Sequence, residues 1–88
     1  MNRQSLEKIV GEAIEDYNKY RSPEATAKLV SVDGTSLKIE FTGPYCRTCG
    51  FYDYFEDFVY ILEDLGIKSQ IDEVEETEEG TIVTFLMK

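Results

Sequence analysis

The sequence predicts a two-layer α+β sandwich in the order α-β-β-α-β-β, in which a mostly antiparallel four-stranded sheet carries two helices on one face. Three observations predict this fold class. Two segments repeat apolar residues at the spacing of an amphipathic helix, other segments alternate apolar and polar residues as half-buried strands do, and glycine-containing turn signals separate the strands. Because 88 residues suffice for one hydrophobic core, we expect a single domain over residues 1–88.

Charge and composition narrow the functional classes. Nine cationic and eighteen anionic side chains give a net charge of −9, which repels phosphate and anionic lipid, so neither nucleic acid nor a membrane is an expected partner. Histidine is absent, which excludes an imidazole as general base or zinc ligand, and the sequence predicts no catalytic residue. No apolar run has the length of a spanning helix and no signal-type segment opens the chain, so we expect a cytoplasmic protein.

The first predicted helix covers residues 4–21 and ends at Ser22-Pro23, because the residue before a proline is pushed out of the helical region. Its charged side faces water, and its apolar side faces the core. That apolar side consists of Leu6, Ile9, Val10, Ala13, Ile14 and Tyr17. Tyr17 and the nearby Tyr20 are expected at the edge of the core.

A β-hairpin follows, with strands predicted at residues 24–32 and 36–42 and a two-residue turn at Asp33-Gly34. The core-facing residues of the second strand are Leu37, Ile39 and Phe41. The register of the first strand stays open between two alternatives. With a two-residue loop, its core-facing residues are Val30 and Val32. With a three-residue loop that ends at Thr35, they are Ala25, Ala27 and Leu29.

The second predicted helix ends at Gly66 and is expected to be the central packing helix. Its apolar stripe consists of Phe51, Phe55, Phe58, Leu62 and Leu65, widened by Val59 and Ile61. Two further strands are predicted at residues 67–74 and 81–87, with a turn at residues 75–80. Six carboxylates lie between Asp72 and Glu79. Their spacing fits no calcium-binding loop, so we expect a solvated segment.

Both cysteines lie in the stretch Gly43-Pro44-Tyr45-Cys46-Arg47-Thr48-Cys49-Gly50, which joins a strand to a helix. The start of a helix has unpaired N–H groups and carries the positive end of the helix dipole, so it favours the thiolate, the form that binds metal and attacks disulfides. Arg47 supports this effect, whereas the acidic residues of the following helix oppose it. Those acidic residues are Asp53, Glu56 and Asp57. Cys46 and Cys49 are therefore the candidate cofactor-binding and metal-binding residues.

The number of available ligands links metal binding to assembly. Structural zinc and cubane iron–sulfur clusters usually have four protein ligands, and one copy of this chain offers two thiolates and no imidazole. A symmetric homodimer would supply four thiolates, and two-fold dimers are the commonest homo-oligomers.

The stretch from Leu37 to Cys49, within the layout of residues 4–72, resembles the Nfu-type (NifU C-terminal) iron–sulfur scaffold domain. In that family an amphipathic helix precedes a hairpin whose second strand runs through a glycine into Cys-x-x-Cys and a second helix. The resemblance implies assembly of a four-iron cluster between two protomers and its transfer to an apo-protein, with Cys46 and Cys49 in the ligand positions. This chain differs by one extra residue between Gly43 and Cys46, by Gly50 in place of the usual proline or serine, by the absence of paired glycines before the first strand, and by an additional closing hairpin.

Two alternatives stay open. The segment from Pro44 to Cys49 is also similar to a glutaredoxin or thioredoxin active site, in which Cys46 would attack, Cys49 would resolve, and the partner would be a redox protein. That fold requires a later cis-proline and a helix between its later strands, and no proline follows Pro44 here. The third alternative is a non-catalytic interaction module whose two thiols are small buried side chains at a helix entrance.

Overall fold

A computed structural model describes residues 3–21, 25–43, 51–78 and 80–88 of the chain. Its elements are α1 (Arg3–Arg21), β1 (Thr26–Asp33), β2 (Ser36–Thr42), α2 (Phe51–Asp64), β3 (Ser69–Glu76) and β4 (Gly80–Met87). This order confirms the predicted α-β-β-α-β-β arrangement. None of the described helices combines the length and the apolar character needed to cross a membrane.

The four strands form one antiparallel sheet in the order β1-β2-β4-β3. Two hairpins, β1–β2 and β3–β4, are joined at the centre by pairing of β2 with β4. Helix α1 contacts β1 and α2, and α2 contacts β3, so the two helices cover the face of the sheet that carries the core side chains. The predicted two-layer sandwich is confirmed.

A β-bulge at Val30 explains why the sequence permits two registers for β1. Val32 pairs with Leu37, as the two-residue loop requires, whereas Leu29 pairs with Ile39, as the three-residue loop requires. The register shifts between these two pairs because Val30 is an extra residue without a partner on β2. The predicted core position of Val30 is therefore wrong, and its side chain is 47% exposed. Leu29, although in register with Ile39, is also 38% exposed and is not part of the buried core.

The turn of the first hairpin lies one residue later than predicted. Asp33 pairs with Ser36, so the two central residues are Gly34 and Thr35. Gly34 has a φ of 59°, and Thr35 has no positive φ. A positive φ at the first central position alone is the pattern of a type II′ turn, in which glycine is preferred.

The strand β3 begins two residues later than predicted because Ile67 closes α2. The N–H of Ile67 donates to the carbonyl of Leu62 at 2.8 Å, and the N–H of Gly66 donates to that of Glu63 at 3.0 Å. With Gly66 at a φ of 95°, these two bonds form a Schellman cap. Gly66 is therefore the helix stop that the sequence predicts.

An aromatic cluster with Phe41 as its hub occupies the centre of the core. The ring centroid of Phe41 lies 4.9 Å from Phe55, 5.3 Å from Tyr17, 6.0 Å from Phe58 and 6.3 Å from Phe85. All five side chains are fully buried. Rings in tilted and edge-on contact at these distances stabilise the fold beyond the area that they bury. The predicted core positions of Phe55 and Phe58 are confirmed.

Tyr17 and Tyr20 do not share the predicted position at the edge of the core. Tyr17 is fully buried in the aromatic cluster, whereas Tyr20 is 83% exposed. Tyr20 lies one turn beyond the cluster, near the end of α1, where its ring borders α2 beside Tyr60.

Asn18 attaches α1 to the edge strand β1. Its amide nitrogen donates to the carbonyl of Ala27 at 3.2 Å, and its amide oxygen accepts a hydrogen bond from the N–H of Ala27 at 2.7 Å. This double contact satisfies backbone groups of β1 that do not pair with β2.

We expect Phe58→Ala to lower the free energy of unfolding by about 3–5 kcal/mol, because the truncation leaves a cavity beside the rings of Phe41, Tyr17 and Phe85. The matched control is Tyr60→Ala on the same helix, where the ring is 60% exposed and the loss should stay below about 1 kcal/mol. Urea unfolding at 25 °C measures both. Equal losses in the two variants would contradict the described core.

Candidate functional site

Residues 44–50, which we call the Cys segment, lie outside the described residues, so the roles of Cys46 and Cys49 stay predictions. The elements on either side are described. Strand β2 ends at Thr42, and helix α2 begins at Phe51. The two cysteines therefore belong to a connection from a central strand to a helix, as the sequence predicts.

Phe41 and Phe55 fix the relation between the two ends of this connection. Phe41 lies near the end of β2, Phe55 lies near the start of α2, and their ring centroids are 4.9 Å apart in the core. Gly43, the last described residue before the segment, has a φ of 128°, a conformation that only glycine adopts without strain. The chain thus leaves the sheet at Gly43 and returns to a helix start that is held against the same strand.

The end of the sheet beside Gly43 is closely packed. Gly80 pairs with Thr42, and a Cβ atom at Gly80 would lie 2.2 Å from the carbonyl oxygen of Phe41. Thr77 closes the turn before β4, because its N–H donates to the carbonyl of Gly80 at 2.7 Å and its Oγ1 accepts from the N–H of Gly80 at 3.1 Å. The β3–β4 turn and the point where the chain leaves β2 therefore lie at the same end of the sheet.

The carboxylates that surround this turn do not converge. The described ones are exposed: Asp72, Glu73, Glu75, Glu76 and Glu78. Within residues 3–21, 25–43, 51–78 and 80–88, no three acidic side chains are grouped so as to hold a metal ion. Two of them, Glu75 and Glu76, belong to β3 and not to the turn, so the predicted turn at residues 75–80 is wrong at its start.

A groove between α1 and α2, which we call the helix groove, is a second candidate surface. It consists of two adjoining cavities of about 390 and 470 Å³ that share Tyr20 and Ile61. Tyr20 and Tyr60 expose most of their rings there, and Asp16 and Asp64 supply negative charge. Exposed aromatic rings beside carboxylates suit an aliphatic or cationic side chain of a protein partner.

Arg21 closes one end of the helix groove. Its Nε donates to Oδ2 of Asp57 at 2.7 Å, its Nη2 donates to the same oxygen, and its guanidinium carbon lies 4.9 Å from the ring centroid of Tyr54. Hydrogen bonding to Asp57 raises the pKa of Arg21, although burial partly opposes this. A fixed cation therefore neutralises Asp57, one of the carboxylates that would oppose thiolate formation at the start of α2.

The sequence does not predict the helix groove or the pair of Arg21 with Asp57. These two residues are 36 positions apart, and no local pattern connects them. Tyr60 does carry a signal in the sequence, because it is an aromatic residue that lies off the apolar stripe of its helix.

Comparison with protein-family models, with curated proteins and with solved structures gives no match to this chain.

We expect Gly80→Ala to destabilise the protein by about 1–3 kcal/mol, because the added methyl group would force β4 away from the Phe41 carbonyl at the end where the Cys segment begins. Gly11→Ala is the matched control. Gly11 lies in α1 with no atom within 4 Å of an added Cβ, so alanine should stabilise the helix by about 0.5–1 kcal/mol. Thermal and urea unfolding compare them, and a stabilising Gly80→Ala would contradict the close approach.

Proposed function

We propose that this protein is an iron–sulfur cluster scaffold or carrier, which holds a cluster between two protomers through Cys46 and Cys49 and passes it to an apo-protein. The supporting observation is the position of the cysteine pair, between the end of the central strand β2 and the start of α2. The flanking helix, hairpin and second helix are the elements on which the resemblance to the Nfu-type domain depends.

Two features support thiolate formation at this position. Cys49 precedes Phe51, the first residue of α2, by two positions, where unpaired N–H groups and the positive end of the helix dipole stabilise an anion. The ion pair of Arg21 with Asp57 neutralises one of the α2 carboxylates that the sequence predicts to oppose thiolate formation. Thiolates are the ligands that iron–sulfur clusters require.

The ligand number then implies two chains. Each chain contributes the thiolates of Cys46 and Cys49, and no histidine is present to complete a four-ligand site. A four-iron cluster held by protein alone therefore needs a second copy. Because such a site is shared between two chains and is lost when they separate, we assign the cluster the role of cargo for transfer.

Thiol–disulfide exchange by Cys46 and Cys49 is the second candidate, and the same strand-to-helix position favours it. The described sheet is antiparallel throughout, and β3 continues into β4 through a short turn. The later strands therefore lack the intervening helix of the thioredoxin-like fold. A non-catalytic interaction module, in which the thiols have no redox or metal role, is the third candidate.

Anaerobic reconstitution with iron and sulfide should give the protein a broad visible absorbance, because cluster sulfides and cysteine thiolates transfer charge to iron. Cys46→Ala and Cys49→Ala should each abolish the absorbance. Thr48→Ala, in the same segment but without a ligand atom, should retain it. A colourless wild-type protein would contradict the scaffold function. A reversible Cys46–Cys49 disulfide with a potential of about −270 to −180 mV would then support exchange.

Cluster loading should convert the protein from monomer to dimer, because a ligand that binds only the dimer stabilises it by mass action. Light scattering of loaded and chelated samples at matched concentration measures the assembly, and iron analysis should give about two iron atoms per chain. The double variant Cys46→Ser, Cys49→Ser is the control and should not respond to iron and sulfide. A loaded monomer with one metal ion per chain would refute the shared site.

A further inference from the structure

We infer that the face of the sheet opposite the helices is the surface through which two copies of this chain associate, with their strands aligned and both Cys segments at the same end of the dimer. We call this surface the open face. It consists of the strand residues that alternate with the buried ones, among them Lys28, Lys38, Glu73, Glu75, Ile82 and Leu86. The inference deepens the proposed function and rests on it for one argument, that two Cys segments must meet. The charges of the open face supply the other.

No described part of this chain forms a layer over the open face. Its residues alternate with the buried ones along each strand, and both helices lie on the opposite side. The apolar side chains of Ile82 and Leu86 on the central strand β4 are only partly buried. A sheet face with partly buried apolar side chains on a central strand and no described cover is a surface that a second layer can pack against.

Both lysines of the open face lie on one side of it, which also carries the carboxylates of Asp33 and Glu40. Lys28 and Lys38 lie on β1 and β2, whereas Glu73 and Glu75 lie on β3 at the opposite edge. All four side chains are exposed. Among the residues that the structure describes, none of these four side chains forms an ion pair with a residue of a neighbouring strand. They are therefore available to pair with charges of another molecule.

Two symmetric ways of stacking this face on itself differ in how the charges meet. A two-fold axis that runs along the strands places β1 of one copy over β3 of its partner, because the rotation reverses the strand order β1-β2-β4-β3. An axis that runs across the strands places β3 over β3. The second arrangement brings Glu73 and Glu75 against the same glutamates of the partner, which is repulsive.

The rows of paired residues show what the first arrangement brings together. One row across the sheet contains Lys28, Glu40, Ile82 and Glu75. Reversing this row places Lys28 opposite the partner's Glu75 and Glu40 opposite the partner's Ile82. Each of these contacts occurs twice in a two-fold dimer.

The two neighbouring rows complete this arrangement. In one, Lys38 comes to lie opposite the partner's Thr84, with the partner's Glu73 on one side of that threonine and the partner's Lys38 on the other. In the other, Asp33 comes to lie opposite the partner's Gln70, whose amide can donate to the carboxylate. The direct charged contact of the aligned orientation is thus Lys28 with the partner's Glu75, while Lys38 and Glu40 lie near the axis beside their own copies.

The same orientation sets the two points where the chain leaves β2 at one end of the dimer. Rotation about an axis along the strands leaves each strand end at its own end of the sheet, so Gly43 of both copies lies at one end of the dimer. Rotation about an axis across the strands would separate the two by the length of β2, about 23 Å for 7 residues at ~3.3 Å each. A single cluster with four thiolate ligands is compatible with the first arrangement and not with the second.

The size of the open face predicts a weak dimer in the absence of a cluster. Four strands about 4.8 Å apart and about 23 Å long form a small patch. Such a patch is below the roughly 800 Å² per partner of a standard interface, and its rim is charged. Association then becomes strong only when a cluster that binds the dimer alone is present.

Charge reversal tests the inference in the Cys46→Ser, Cys49→Ser background, by sedimentation equilibrium at low salt up to about 1 mM, where a weak dimer is still populated. The first variant carries Lys28→Glu and Lys38→Glu, and the second carries Glu73→Lys and Glu75→Lys. Each alone should weaken dimerisation at least about tenfold, because like charges then meet in both contact zones. An equimolar mixture of the two should restore the dimer, because opposite charges meet again.

Matched controls carry the same change of net charge on the helix layer. The control for the first variant is Lys8→Glu with Lys19→Glu, and the control for the second is Glu12→Lys with Glu63→Lys. All four of these side chains are exposed. These controls should change dimerisation less than their open-face counterparts.

A spin label on Thr35→Cys reports the orientation, because the two labels lie at one end of the aligned dimer and at opposite ends of the inverted one.

The outcomes separate this inference from the proposed function. The interface would be overturned if the Cys-free protein is monomeric at 1 mM, which corresponds to a Kd weaker than about 1 mM. Open-face variants that dimerise as strongly as the parent protein would also overturn it. Both results hold whatever the absorbance of the reconstituted wild-type protein. A colourless wild-type protein whose Cys-free form still dimerises through the open face would overturn the cluster function and leave the interface standing.

Discussion

The contact of Phe41 with four buried rings is the interaction on which the rest of the structure depends. The rings come from α1, α2 and β4, so one side chain of β2 ties both helices to the central strands. Phe41 also lies just before Gly43, and its partner Phe55 lies in the first turns of α2. The same packing that stabilises the core therefore sets the two points between which the Cys segment must run.

The parts of the fold that follow from local sequence patterns could be predicted, and those that depend on the register between paired strands could not. The alternation of apolar and polar residues in Ser36–Thr42 predicts β2 with its observed bounds, because every second residue of a half-buried strand faces the core. The bulge at Val30 leaves no such trace, since both registers of β1 present apolar residues to Leu37 and Ile39. Only the pairing with β2 decides between them.

The candidate site divides in the same way. The place of the cysteine pair between a strand and a helix follows from the spacing of apolar residues on either side. The pairing of Arg21 with Asp57 connects two helices across 36 positions, so only the packed structure brings the two side chains together. The exposure of Tyr20 could not be predicted for a related reason, because helical spacing alone does not show where the sheet beneath a helix ends.

The chain consists of two successive units, each a helix followed by a hairpin, α1-β1-β2 and α2-β3-β4. The strand order β1-β2-β4-β3 puts the second strand of each unit at the centre and the first at an edge, so a half-turn about an axis normal to the sheet exchanges the units. Even the bulges, at Val30 and Asp72, fall in the two edge strands. Residues 44–50 are the covalent joint between these units, and both cysteines lie in that joint. The two units are thus joined covalently through the stretch that carries both cysteines, and non-covalently through the pairing of β2 with β4 at the centre of the sheet.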